Sequence, residues 1–138
     1  MGANEKEALM WKLIGVASIV LAVAALAAVS SAPAKGGGAR VIKQGSCSGS
    51  ANWKLKAKVD GGLIETEFEV DQNVAGKKWR VVIRQNGVKR FSGIKTTKAP
   101  SGSFTVHKLL DNKAGKDRIV GKATALSNGQ TCRGALRI

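Results

Sequence analysis

The 138-residue chain reads as all-β: a seven-stranded antiparallel β-sandwich preceded by one apolar N-terminal helix. Three observations predict this. From residue 53 onward apolar and polar side chains alternate, the spacing that sets one face of a strand on a core. The alternating runs are separated by Gly61-Gly62, Asn86-Gly87, Pro100-Ser101-Gly102 and Asn128-Gly129, each a turn signal. Only residues 13–29, LIGVASIVLAVAALAAV, form an uncharged apolar run of helical length.

The polar head before that run carries Glu5, Lys6, Glu7 and Lys12, which cancel. The run is slightly longer than a signal-peptide core of roughly 7–15 residues and slightly shorter than the ~20 residues of a membrane span. Ala32-Pro33-Ala34 has the small-residue pattern of a cleavage site, with the cut before Lys35. Met10, Trp11 and residues 30–34 would instead extend the run to a full span, with Lys12 snorkelling and Trp11 at the interface. Residues 1–34 are therefore read as a signal peptide or an N-terminal membrane anchor. Either reading exports the rest of the chain, secreted if cut after Ala34 and membrane-anchored otherwise. Residues 35–46, opening on Lys35-Gly36-Gly37-Gly38, read as a flexible linker. Residues 47–138 are the sandwich domain.

The first hairpin is the most constrained element. Residues 53–59 alternate apolar side chains with lysine, and residues 64–70 alternate them with glutamate. A two-residue Gly61-Gly62 turn then sets Lys58 against Glu65, Lys56 against Glu67 and Lys54 against Glu69. On the other face Val59 meets Ile64, Leu55 meets Phe68 and Trp53 meets Val70. A slip of one residue would set buried positions against charged ones, so the register is strongly specified. The next strands span residues 77–85, 88–96 and 103–110, and a two- or three-residue loop serves equally at Asn86-Gly87. At the C-terminus a type I′ turn at Asn128-Gly129 joins residues 117–127 to 130–138. That register pairs Ile119 with Ile138, Gly121 with Leu136, Ala123 with Gly134 and Ala125 with Cys132.

Trp79 opens the third strand, and residues 114–123 read AGKDRIVGKA. This run resembles the start of the penultimate strand in bacterial immunoglobulin-like and fibronectin type III-like domains, in which a tryptophan at the position of Trp79 lies between the sheets. The resemblance spans residues 50–138 and implies an immunoglobulin-like sandwich. The chain departs from true immunoglobulins in having no cysteine pair between its second and sixth strands. It also resembles small exported proteins of high-GC Gram-positive bacteria, which implies no activity. In such sandwiches the leading segment runs beside the final strand, which would bring Cys47 to Cys132. A structural disulfide there would stabilise the fold by roughly 4 kcal/mol. Free thiols or a redox pair are the alternatives, and the spacing lacks the CxxC pattern of redox chemistry.

Catalysis finds little footing, and an enzyme is not expected. The one histidine, His107, alternates with Phe104 and Val106 and so faces solvent; no GxSxG surrounds a serine. Metal binding needs three or four convergent ligands, and three of the carboxylates already face lysines. No cofactor is expected. Charge is the surface signal. The chain holds 23 Lys/Arg against 9 Asp/Glu, and because residues 1–34 balance, the net +14 belongs to the region from Lys35 onward. If the third, fourth, sixth and seventh strands share a sheet, as in fibronectin-like sandwiches, its outer face presents Lys78, Arg80, Arg84, Arg118, Lys122, Arg133 and Arg137. Lys89, Arg90, Lys95 and Lys98 join the face or its rim, and Asp117 is the only acid nearby. Such a face suits an envelope polyanion, either a cell-wall polymer or anionic lipid headgroups. Nucleic acid fits less well, because Tyr is absent and Trp53 and Trp79 read as core, leaving no stacking platform. Two other readings stand beside this one. The charge serves solubility and edge protection alone, or the domain is structural and meets an envelope protein through exposed Val82, Val120 and Leu109.

Overall fold

The computed structural model describes residues 38–138. The helix, signal peptide or anchor expected over residues 1–34 lies outside the described residues. Among those described, no helix is long and apolar enough to cross a membrane.

The described chain is all-β, with eight strands where seven were expected. They are β1 (Arg40–Ser46), β2 (Asn52–Asp60), β3 (Leu63–Asp71), β4 (Lys78–Gln85), β5 (Val88–Thr96), β6 (Ser103–Asp111), β7 (Arg118–Ala125) and β8 (Thr131–Arg137). They form two antiparallel four-stranded sheets, β1-β2-β3-β6 (sheet A) and β5-β4-β7-β8 (sheet B). The third, fourth, sixth and seventh expected strands thus do share a sheet. The two sheets contribute to one core, led by Trp79, Phe68, Leu55, Ile64, Ile83 and Ile119, all fully buried. This arrangement is that of a β-sandwich.

The extra strand corrects the linker expected over residues 35–46. Residues 40–46 pair with β2 from Arg40↔Lys58 to Ser46↔Asn52. The segment hid its strand character because only Val41 turns an apolar side chain toward the core, while Lys43 shares that side and stays exposed. Gly45, also on that side, has a tertiary role. A Cβ there would come within 3.0 Å of Trp53 Cζ2, and one on Gly134 of β8 within 2.6 Å of Trp53 Cε3. The Trp53 ring therefore sits between the two backbones: a side chain at Gly134 would force the ring to move, and one at Gly45 would press on it more lightly.

The first hairpin has the register read from sequence, Lys58↔Glu65 through Lys54↔Glu69 outside and Val59↔Ile64 through Trp53↔Val70 inside. At Asn86-Gly87 the loop has two residues, both at positive φ (50° and 82°), and Gln85 faces Val88. A bulge between Ile83 and Arg84 absorbs one extra residue of β5.

The last hairpin differs from the expected register by two residues. Ile119 faces Leu136, Gly121 faces Gly134 and Ala123 faces Cys132. A two-residue Asn-Gly turn does not form, because three bonds favour a longer loop. Leu126 N–H continues the β4 ladder to the Lys78 carbonyl (3.0 Å), Gly129 N–H closes on the Ala125 carbonyl (2.9 Å), and the Asn128 side chain accepts Gln130 N–H (3.0 Å). A shift of two preserves which face every side chain occupies.

Cys47 and Cys132 form a disulfide with a Cα–Cα distance of 4.3 Å. The segment around Cys47 is also clasped to β8 by hydrogen bonds. Ser48 N–H donates to the Thr131 carbonyl (2.8 Å), Thr131 N–H to Ser48 Oγ (2.9 Å) and Ala51 N–H to Gln130 Oε1 (2.8 Å).

Candidate functional site

The two sheets treat charge in opposite ways. On the outer face of sheet A the lysines of β2 lie against the glutamates of β3. Lys56 Nζ is 2.8 Å from Glu67 and Lys54 Nζ is 3.7 Å from Glu69. The Lys56 ammonium, bonded to Glu67, holds that carboxyl below the usual carboxylate range. His107 Nδ1 lies 3.6 Å from the same carboxylate with its side chain 68% exposed, so it faces solvent on β6. Among the described residues no group of three or more His, Cys, Asp or Glu is placed to hold a metal ion.

Sheet B carries cations without such partners. On β4 the alternation buries Trp79, Val81, Ile83 and Gln85 and turns Lys78, Arg80 and Arg84 outward. On β7 it buries Ile119, Gly121, Ala123 and Ala125 and turns Arg118 and Lys122 outward. On β8 it buries Cys132, Gly134 and Leu136 and exposes Arg133 and Arg137. All seven basic residues expected on this face therefore lie on it, and all are exposed. Asp60, Glu65, Glu67, Glu69, Asp71 and Asp111 lie on strands of sheet A, so among the described residues no Asp or Glu side chain shares the sheet B face.

Asp117, expected as the acid nearest these cations, is fully buried and accepts from two side-chain amides and one backbone N–H instead. Its carboxylate accepts from Gln85 Nε2 (3.0 Å), Asn86 Nδ2 (2.7 Å) and Lys113 N–H (2.9 Å). Three donors compensate the burial of this charge. They also tie the β4–β5 turn to the start of β7.

The registers bring like charges directly opposite one another. Arg118 faces Arg137, Lys122 faces Arg133, and Arg84 faces Lys89. Arg84, Arg118, Lys122 and Arg133 border a shallow concavity of about 380 Å³ whose floor includes the half-buried Val82 and Val120. The Arg84 guanidinium is steadied by the Gly87 carbonyl at 3.2 Å. Lys78 and Arg80 lie farther along β4, outside this concavity, where Arg80 stands between Thr124 and the exposed Ile94.

The rim residues divide. Lys89 joins the face opposite Arg84, and Arg90 is the extra residue at the bulge. Lys95 turns to the core side beside the Phe91 ring, 5.7 Å from its centroid, and Lys98 follows the end of β5. One basic residue was missed. Lys43, expected within a linker, lies on β1 and borders a second concavity with Arg118 and Arg137. Its signal in the sequence was the β-branched apolar pair Val41-Ile42 ahead of it, too short to mark a strand. Of the apolar residues considered for a protein contact, Leu109 is 59% exposed on the other sheet, apart from Val82 and Val120.

No family model and no curated protein matches the chain.

Proposed function

We propose that this is an exported, non-enzymatic binding module of the cell envelope that contacts polyanions, a cell-wall polymer or anionic lipid, through the outer face of sheet B. The observation that carries this reading is the set of facing like-charge pairs, Arg118↔Arg137, Lys122↔Arg133 and Arg84↔Lys89, with no acid on the face among the described residues. Like charges directly opposite each other destabilise a sheet, each pair by an amount on the scale of ~0.2–1 kcal/mol. Solubility needs only that charge be present: sheet A answers the β2 lysines with the β3 glutamates and carries one facing like-charge pair, Arg40↔Lys58, against three on sheet B. An anion placed between two facing cations turns the repulsion into attraction.

Two further observations support the reading. A disulfide between Cys47 and Cys132 suits an oxidising compartment outside the cytoplasm. The grouping of β5, β4, β7 and β8 is the one a fibronectin-like resemblance implies, and supports describing the fold as immunoglobulin-like with one extra leading strand. The test is retention of the full chain on heparin across a salt series. The charge reversal Arg80→Glu with Arg84→Glu moves elution to lower salt. Unchanged elution removes the reading, and envelope capture that survives high salt points to a protein partner instead.

A further inference from the structure

We propose that the anion is a linear, flexible polymer whose path bends from the outer face of sheet B around the β8 edge onto β1, with Arg118 at the bend. This rests on the polyanion reading above and narrows its ligand class. Arg118 borders both concavities. In the first it stands with Arg84, Lys122 and Arg133. In the second, of about 420 Å³, it stands with Arg137, Ala135 and Leu136 of β8 and with Val41 and Lys43 of β1. The cations are thus continuous from Arg133 through Arg118 and Arg137 to Lys43, and the track passes from one sheet to the other.

Geometry selects against a flat ligand. Lys43 pairs with Leu55, whose side chain is in the core, so Lys43 projects from the core side of β1. It therefore faces the β8 edge and not the direction of the sheet B cations. A planar anionic surface resting on sheet B does not reach it, whereas a chain with rotatable links does. Val82, Val120, Ala135 and Val41 separate the cations along the track. That spacing fits anionic groups joined by uncharged links better than unbroken charge. The bend is held before the ligand arrives. Arg118 N–H donates to Asn86 Oδ1 and its carbonyl accepts Asn86 N–H, both at 2.8 Å, while Asn86 Nδ2 is bonded to the buried Asp117.

The test measures binding of a short fluorescein-labelled heparin oligosaccharide to the full chain by anisotropy over a salt series. The variants are Lys43→Gln, Lys122→Gln, Arg118→Gln and Arg40→Gln, all at exposed positions. Losing one contact lowers affinity roughly fivefold near 0.15 M salt and the salt slope by about one. Lys43→Gln and Lys122→Gln each show that loss, Arg118→Gln exceeds both, and Arg40→Gln, on the opposite side of the same strand as Lys43, binds as wild type. If Lys122→Gln weakens binding and Lys43→Gln does not, the track is overturned and the sheet B reading stands, as for a membrane-facing patch. If neither changes binding, both are overturned. If Arg40→Gln loses as much as Lys43→Gln, net charge alone governs and the track is again overturned.

Discussion

Breaking the Cys47–Cys132 bond is the perturbation with the largest consequence for the fold. The cysteines are 85 residues apart. For a loop of that length the chain-entropy argument yields about 15 cal/mol/K, or about 4.5 kcal/mol at 25 °C, while native disulfides removed from small domains typically cost 2–5 kcal/mol. Domains of this size are stable by about 5–15 kcal/mol, so the bond supplies a large share. Each kcal/mol moves the thermal midpoint by roughly 4–8 °C, and a fall of at least about 8 °C follows from the lower figure. The native alignment itself does not need the bond, because the Ser48–Thr131 and Ala51–Gln130 hydrogen bonds hold the same segment on β8. The reduced protein therefore stays folded at low temperature with native near-ultraviolet circular dichroism. The assay is thermal unfolding by tryptophan fluorescence with and without reductant, with thiols titrated, alongside Cys47→Ala/Cys132→Ala. The double variant matches the reduced wild type. A midpoint that moves by less than about 5 °C when both thiols are shown free refutes the reasoning.

Three other expectations follow from packing and charge. Gly134→Ala drives a methyl into the Trp53 ring and lowers stability by about 1–3 kcal/mol in urea unfolding; Trp53→Phe combined with it costs less than the sum of the two single changes. Asp117→Ala removes the buried acceptor of three hydrogen bonds, while Gln85 Nε2 keeps the Asp111 carbonyl, and costs about 1–3 kcal/mol by the same assay. The Glu67 carboxyl titrates below its ordinary range, so its contribution is complete above that range and is lost as pH falls through the lowered value. Lys56→Met is accordingly less stable than wild type at neutral pH, by under about 1 kcal/mol for a half-buried pair at the surface. The difference closes on acidification, and a gap unchanged at low pH contradicts the assignment.

How much was legible depended on whether local chemistry and tertiary packing agreed. In the first hairpin a lysine ladder, a glutamate ladder and two apolar rows all specify one register, and that register is observed. In the last hairpin Asn128-Gly129 has the composition of a two-residue turn. The loop closes differently because Leu126 bonds to Lys78 on β4, a partner far away in sequence. The basic face remained readable because a two-residue shift leaves alternation intact. The strand at Arg40–Ser46 was illegible for a physical reason. Its glycine exists to admit Trp53, and its inward lysine breaks the alternation, so both features make sense only beside β8. Asp117 was misplaced on similar grounds. From sequence it reads only as the one acid near the basic face, whereas its side chain turns inward to backbone and amide donors.

The central claim is that sheet B, and not overall charge, meets the polyanion. Amide chemical-shift mapping on isotope-labelled protein titrated with a short heparin oligosaccharide tests it directly. The account predicts perturbations concentrated at Arg84, Arg118, Lys122, Arg133 and Arg137, with β2 and β3 undisturbed. Shifts spread evenly over both sheets, or centred on Lys54, Lys56 and Lys58, contradict it.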